Sequence, residues 1–159
     1  EEYLILAGDE AMRVGASSEA INFYNNAIQL ISNNTQNKTN KDNKSKIEEK
    51  LVFAYSARGM SPEVIEITNK ILSGYNYHFL KYTLNEKIML LWQALRFMRM
   101  VKRYDRIPKR MPTEKEKSLL KLVFVWGSAM IAINPTIFLT EMFRLFLTHQ
   151  KLDYSKTLY

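Results

Sequence analysis

The run of apolar residues from Leu119 to Ile133 is the strongest pattern in the chain. Its large side chains stand at successive positions rather than on one stripe, which predicts a helix that is buried on every side. Thr113, with Glu116 three residues later, predicts the start of this helix through a capping box. Asn134-Pro135 predicts the N-cap and first turn of a second helix, because proline needs no amide donor there.

Three further regions of the chain alternate apolar and polar residues with a helical period. A helix pair over Leu4–Ser32 is predicted to turn at Gly15, and a second pair is predicted to turn at Gly59 and end at Gly74. A longer helix from Phe79 or Asn85 to Tyr104 should end before Pro108, because the residue before proline avoids the helical conformation. Apolar residues cover about half of its circumference, so we expect it to pack on two neighbours. The predicted fold class is all-α, with about seven helices in antiparallel pairs.

Residues 33–45 break this pattern, because almost all of them are Asn, Lys, Thr, Gln, Asp or Ser. Such side chains bury too little apolar surface to offset the entropy lost on ordering. We therefore predict a mobile Asn/Lys-rich loop over 33–45.

Composition narrows the class of protein. A chain of 159 residues that is 47% hydrophobic can bury the core of a single module over 1–159. The absence of cysteine excludes a disulfide scaffold and a thiolate nucleophile, and fits a cytoplasmic location. The Leu119–Ile133 run is too short for a membrane span and contains Lys121, so we predict no membrane-spanning helix. The chain begins without an initiator methionine or a leader pattern, and we expect it to be a fragment of a larger protein.

The first helix pair resembles a tetratricopeptide repeat. It carries small residues and a tyrosine at that family's spacing, with Ala11 where the family has an aromatic residue; the matching positions are Ala7, Gly8, Ala20, Tyr24 and Ala27. Gly59 follows Gly15 at more than the family's period of about 34 residues, and the 33–45 loop would supply the excess. The resemblance implies helix pairs stacked as an irregular tetratricopeptide-like array.

Residues 105–159 resemble the helical region that follows the nucleotide-binding ATPase module in large signalling proteins, where it links to Ser/Thr kinase, histidine kinase or cyclase domains. The residues that match are Ile107-Pro108, Met111, Asn134-Pro135, Phe138, Met142, Leu145, Ser155 and Tyr159. This resemblance implies a non-catalytic coupling role. The chain has no Gly-rich phosphate loop, so ATP chemistry would lie in other domains of the parent protein.

The sequence contains no residue pattern typical of catalysis. His78 and His149 have no partner at metal-ligand spacing. No serine stands in a sequence pattern with a histidine or lysine that could act as its general base. The acidic pairs Glu48-Glu49 and Glu114/Glu116 are interpreted as residues at helix starts. We therefore predict that this segment is not an enzyme and that it has no catalytic residue, cofactor or metal site. An active site between helices stays open as a third class of function.

The candidate binding residues belong to a basic stretch. Between Arg96 and Lys121 there are ten Lys or Arg and three acids. Arginine beside an exposed aromatic residue suits an acidic protein segment, a phosphate group or a stacked base. The alternative is a solvated face whose arginine stems cover apolar neighbours. The predicted partner-binding residues, on one helix face, are Met89, Trp92, Arg96, Arg99 and Arg103.

Two functions follow from these patterns. The favoured one is a non-catalytic interaction and coupling module of a multidomain signalling ATPase or kinase. Its partners would be sister repeats, other domains of the parent chain or an acidic protein. The alternative is a free-standing helical adaptor that binds nucleic acid or an acidic partner through the Arg96–Arg103 basic face; nucleic acid is the less favoured of these partners.

Overall fold

A computed structural model describes residues 2–33, 38–75, 77, 79 and 86–152, with the backbone alone for residues 38–42, 86 and 105. All regular structure in these residues is helical, apart from one isolated bridge between Arg110 and Leu152. The prediction of an all-α fold is confirmed. The helices are α1 (Glu2–Arg13), α2 (Ser17–Asn33), α3 (Lys38–Ala57), α4 (Ser61–Gly74), α5 (Glu86–Val101), α6 (Glu114–Ile133) and α7 (Pro135–Thr148).

The helices form two compact units, Glu1–Tyr77 and His78–Tyr159. This differs from our expectation of a single module over 1–159. In the first unit each helix packs against the next one along the chain, from α1 to α4. In the second unit α7 packs against both α5 and α6. Each unit is therefore described by itself.

The two predicted glycine turns of the first unit are confirmed. Gly15 has a φ of 81° between α1 and α2, and Gly59 has a φ of 75° between α3 and α4. Glycine reaches this left-handed region without the steric cost that a Cβ would add. Both turns therefore follow directly from the sequence.

A polar contact joins three helices of the first unit. Tyr24 of α2 is buried, and its hydroxyl donates to the Asp9 carboxylate of α1 at 2.8 Å. Lys50 of α3 donates to the same carboxylate at 2.6 Å. Burial by itself would raise the pKa of Asp9, but the hydrogen bonds from Lys50 and Tyr24 outweigh it and lower that pKa. Burial and the bond to Asp9 raise the pKa of Tyr24.

The predicted loop over 33–45 is wrong at most of its positions. Asn33 is the last residue of α2, and residues 38–45 form the first two turns of α3. Residues 34–37 of the predicted loop lie outside the described residues. The buried residues Ile47, Leu51 and Ala54 anchor the later turns of α3. Adding polar turns to a helix that is already nucleated costs little, which explains why a polar composition can still be helical.

The second unit confirms both predicted helix starts. The Thr113 hydroxyl accepts from the Glu116 amide at 3.3 Å, and the Glu116 carboxylate accepts from the Thr113 amide at 2.9 Å. Arg110 also donates to Glu116 at 2.9 Å, and this bond contributes most to lowering the pKa of Glu116 to about 2. The Asn134 side chain accepts from the amides of residues 136 and 137, ahead of Pro135 at the first position of α7.

The prediction that α6 is buried on every side is wrong. Trp126 is only 1% exposed and stacks on Phe79, with ring centroids 3.9 Å apart. On the opposite side of the helix, however, Phe124 and Ile131 are exposed. In the described structure α6 is therefore covered over about half of its circumference, which is the usual state of a surface helix.

Candidate functional site

Helix α5 carries most of the predicted binding residues, and its inner side packs on α7. The Phe97 ring lies 5.0 Å from that of Phe143 and 6.0 Å from that of Phe146, measured between centroids. Gln93 and Met100, on the same side of the helix, are buried. Our expectation that α5 packs on two neighbours is not met in the described residues, where α7 is its helical neighbour within the second unit.

The other side of α5 is exposed and strongly apolar. Ile88 is 63% exposed, Leu91 is 62% exposed and Trp92 is 53% exposed. Leu95 and Met98 continue the same stripe toward the end of the helix, and both are exposed. We call these five residues the outer face of α5. Contiguous apolar side chains on a surface mark sites of interaction more often than scattered ones do.

Three of the predicted binding residues lie together on this side of α5: Trp92, which belongs to the stripe, and Arg96 and Arg99 next to it. The Arg96 guanidinium lies over the Trp92 ring, 4.5 Å from its centroid, and Arg99 is exposed one turn further along the helix. Such stacking orders an arginine while leaving its donors available.

The other two predicted residues lie apart from these three. Met89 is half-buried at the boundary of the exposed side. Arg103 is exposed, but α5 ends at Val101, so Arg103 belongs to the turn that follows. The prediction that Arg103 continues the helical face is therefore wrong, since that face ends two residues earlier.

Sequence reasoning missed the apolar part of this surface. The expectation that this helix packs on two neighbours implies that Ile88, Leu91, Leu95 and Met98 are covered, because an apolar residue on a helix is usually buried. The one signal in the sequence was that apolar positions extend beyond the width needed to pack against one helix.

Acidic side chains of the described residues form ion pairs between and within helices. Glu48 accepts from Lys70 of α4 at 2.8 Å, and Glu49 accepts from the Tyr75 hydroxyl at 3.0 Å. These two glutamates lie in the middle of α3, so their interpretation as residues at a helix start is wrong. Glu141 is fully buried and pairs with Arg144 at 2.6 Å. These bonds give Glu48, Glu49 and Glu141 a structural role in holding helices and helix turns together.

The structure describes one of the two histidines, His149. His149 follows the last residue of α7, and its Nδ1 lies 3.2 Å from the Leu145 carbonyl oxygen. His78 lies outside the described residues. Within the described part of the chain, no group of three His, Asp or Glu side chains is placed to hold a metal ion.

Comparisons with protein-family models, with curated proteins and with solved structures found no match to this chain. Among the described helices, none combines the length and apolar character that crossing a membrane requires. The functional argument therefore rests on the geometry of α5.

Proposed function

We propose that this chain is a non-catalytic helical interaction module and that the outer face of α5 is its protein-binding surface. The observation that carries the proposal is the exposure of five large apolar side chains, one of which, Trp92, is stacked under the Arg96 guanidinium. Exposed apolar area of this kind becomes stabilising when a partner covers it, at about 25 cal/mol per Å² of apolar surface.

The partner that best fits this surface is an acidic amphipathic helix. Apolar residues of α5 recur at intervals of three and four, which is the spacing at which one helix presents anchors to another. From residue 86 to 103 the chain has one acid, Glu86, and five cations: Lys87, Arg96, Arg99, Lys102 and Arg103. Acidic residues flanking the apolar stripe of a partner helix would complement this charge and set its orientation.

We further propose that the helices belong to an irregular tetratricopeptide-like array of antiparallel pairs within a multidomain signalling ATPase or kinase. Support for the array comes from the glycine turns at Gly15 and Gly59 and from the packing of each helix of the first unit against the next. The sequence resemblance of residues 105–159 supports the signalling context. In such an array the binding surface is a helix face. ATP binding and hydrolysis would take place in other domains of the parent protein.

The test is a selection of displayed helical peptides on the native chain, followed by affinity measurements on variants. Reversal of Arg96, Arg99 and Arg103 to Glu should weaken selected acidic peptides mainly through the association rate. The effect should shrink with added salt, because the Debye length is about 10 Å at 0.1 M. Trp92→Ala should cost about 2 kcal/mol or more and depend much less on salt, as expected for a desolvated anchor.

A matched control separates specific docking from net charge. Reversal of Arg58, Lys115 and Lys121 to Glu changes the net charge by the same amount at exposed positions outside α5. Peptides that bind both triple variants equally well would contradict the proposal and leave the arginines as a solvated face. A single-stranded oligonucleotide that binds with a steep salt dependence, while peptides do not bind, would favour the nucleic-acid adaptor instead.

A further inference from the structure

The 102–110 segment, which connects α5 to α6, is held in place by main-chain hydrogen bonds at both ends. The Arg103 amide donates to the Met100 carbonyl at 2.9 Å, and the Ile107 amide donates to the Tyr104 carbonyl at 3.2 Å. At its far end the Arg110 amide donates to the Lys151 carbonyl, just beyond α7, at 2.8 Å. The backbone of the segment is therefore hydrogen-bonded to the end of α5 and to the chain just beyond α7.

An apolar pocket of about 330 Å³ lies in this part of the second unit. Its walls come from the end of α5, the 102–110 segment and α7, and they are Phe97, Met100, Val101, Tyr104 and Phe146. Three of these five residues are aromatic, and their faces offer flat apolar contact. The volume falls at the lower end of the range of about 300–1,000 Å³ that is typical of small-molecule sites.

The segment that contributes Tyr104 to this pocket is strongly basic. Residues 102–110 contain five Lys or Arg and one acid, Asp105. Arg110 is engaged by Glu116. The Lys109 ammonium lies over the ring of the pocket residue Tyr104, 2.8 Å from its centroid, and Lys109 is exposed. A cation therefore contacts the ring of one residue that lines the pocket, and it does so from outside the pocket, because Lys109 is not one of the lining residues.

We propose that this pocket binds a small amphipathic carboxylate, with its apolar chain against Phe97, Tyr104 and Phe146 and its carboxylate at Lys109. An apolar chain gains free energy by leaving water for the aromatic walls. A carboxylate that stays at the rim keeps part of its hydration and gains a charge-assisted hydrogen bond from the ammonium group. The site is independent of the proposed docking surface, because Phe97 and Met100 lie on the side of α5 that faces α7.

The test uses dodecanoate as the probe and the full chain labelled with ¹³C at its methionine methyl groups. Dodecanoate should shift the Met100 methyl signal, assigned from a Met100→Leu variant, and calorimetry should give its affinity. Dodecanol, which has the same chain without charge, should bind about tenfold more weakly, as expected for loss of one charge-assisted bond. Equal affinity of the two probes would overturn the assignment of a carboxylate ligand.

Two pairs of variants locate the site. Val101 lines the pocket and is 51% exposed, so Val101→Trp should fill the cavity and weaken dodecanoate at least tenfold. Val14→Trp, at an exposed turn of the first unit, should leave the affinity unchanged. Lys109→Gln should weaken dodecanoate about tenfold, whereas Lys115→Gln should not.

The outcomes decide the proposal even if one variant is unstable. A Met100 signal that dodecanoate does not move would overturn the pocket assignment, whatever the calorimetry shows. Equal weakening by the Lys109 and Lys115 variants would show binding by surface charge alone and would also overturn it. Should Val101→Trp unfold the chain, the Met100 signal and the lysine pair still give the answer.

Discussion

Substitution of Gly8 by alanine is expected to destabilise the first unit, although alanine is the better helix former. A Cβ at Gly8 would overlap Cε1 of Tyr24 and would lie 2.8 Å from its Cδ1. Carbon atoms in favourable contact lie about 3.5–4.0 Å apart, so one of the two helices or the ring must move by about 1 Å. Tyr24 resists that movement because it is 1% exposed and its hydroxyl is bonded to Asp9.

The magnitude follows from two opposing terms. Replacing glycine by alanine in a helix stabilises it by about 1 kcal/mol. Forcing extra atoms into a packed contact costs about 1–3 kcal/mol, and an overlap this large belongs at the upper end of that range. We expect a net loss of about 1–2 kcal/mol, or about 4–16 °C in melting temperature for a unit of this size.

The assay is amide hydrogen exchange of α1 and α2, because both tryptophans of the chain, Trp92 and Trp126, lie outside the first unit. Gly74→Ala is the matched control, since a Cβ there meets no atom within 4 Å. Gly8→Ala combined with Tyr24→Leu should recover part of the loss, with a coupling of about 1–2 kcal/mol. Normal protection in Gly8→Ala, or purely additive effects in the double variant, would refute the close-packing argument.

Three further changes test the second unit. Trp126→Ala should cost about 3–5 kcal/mol in urea unfolding followed by circular dichroism, because it empties a buried site; a variant as stable as the native chain would contradict the packing of Trp126 in the core of the second unit. Thr113→Ala should cost about 1 kcal/mol in the same assay through loss of the α6 cap, and Thr148→Ala, at the exposed end of α7, serves as its comparison. The Glu116 pKa of about 2 lies below its ordinary value of 4.5, so its stabilisation is present above pH 4.5 and is lost as pH falls toward 2; Glu116→Gln should flatten stability over that window.

The sequence by itself determined the features whose physics is local. The turns at Gly15 and Gly59 follow from backbone conformations that favour glycine, and the α6 capping box and the Asn134-Pro135 start of α7 need only a few neighbouring residues. The all-α fold class follows as well, because apolar residues recur at helical spacing in each of the regions that were predicted to be helical.

Only the tertiary structure decided which helix faces are covered. Apolar residues extend around α6 and cover about half of the circumference of α5. Such a pattern is compatible with one packed side or with two, so the sequence does not decide between them. The helical start of α3 was also hidden, because residues 38–45 have a polar composition and gain their order from the packed turns that follow them. The exposed outer face of α5 and the pocket at its end arise where α7 covers one side of the helix. Burial is a property of pairs of elements, and a single helix's sequence does not specify its partner.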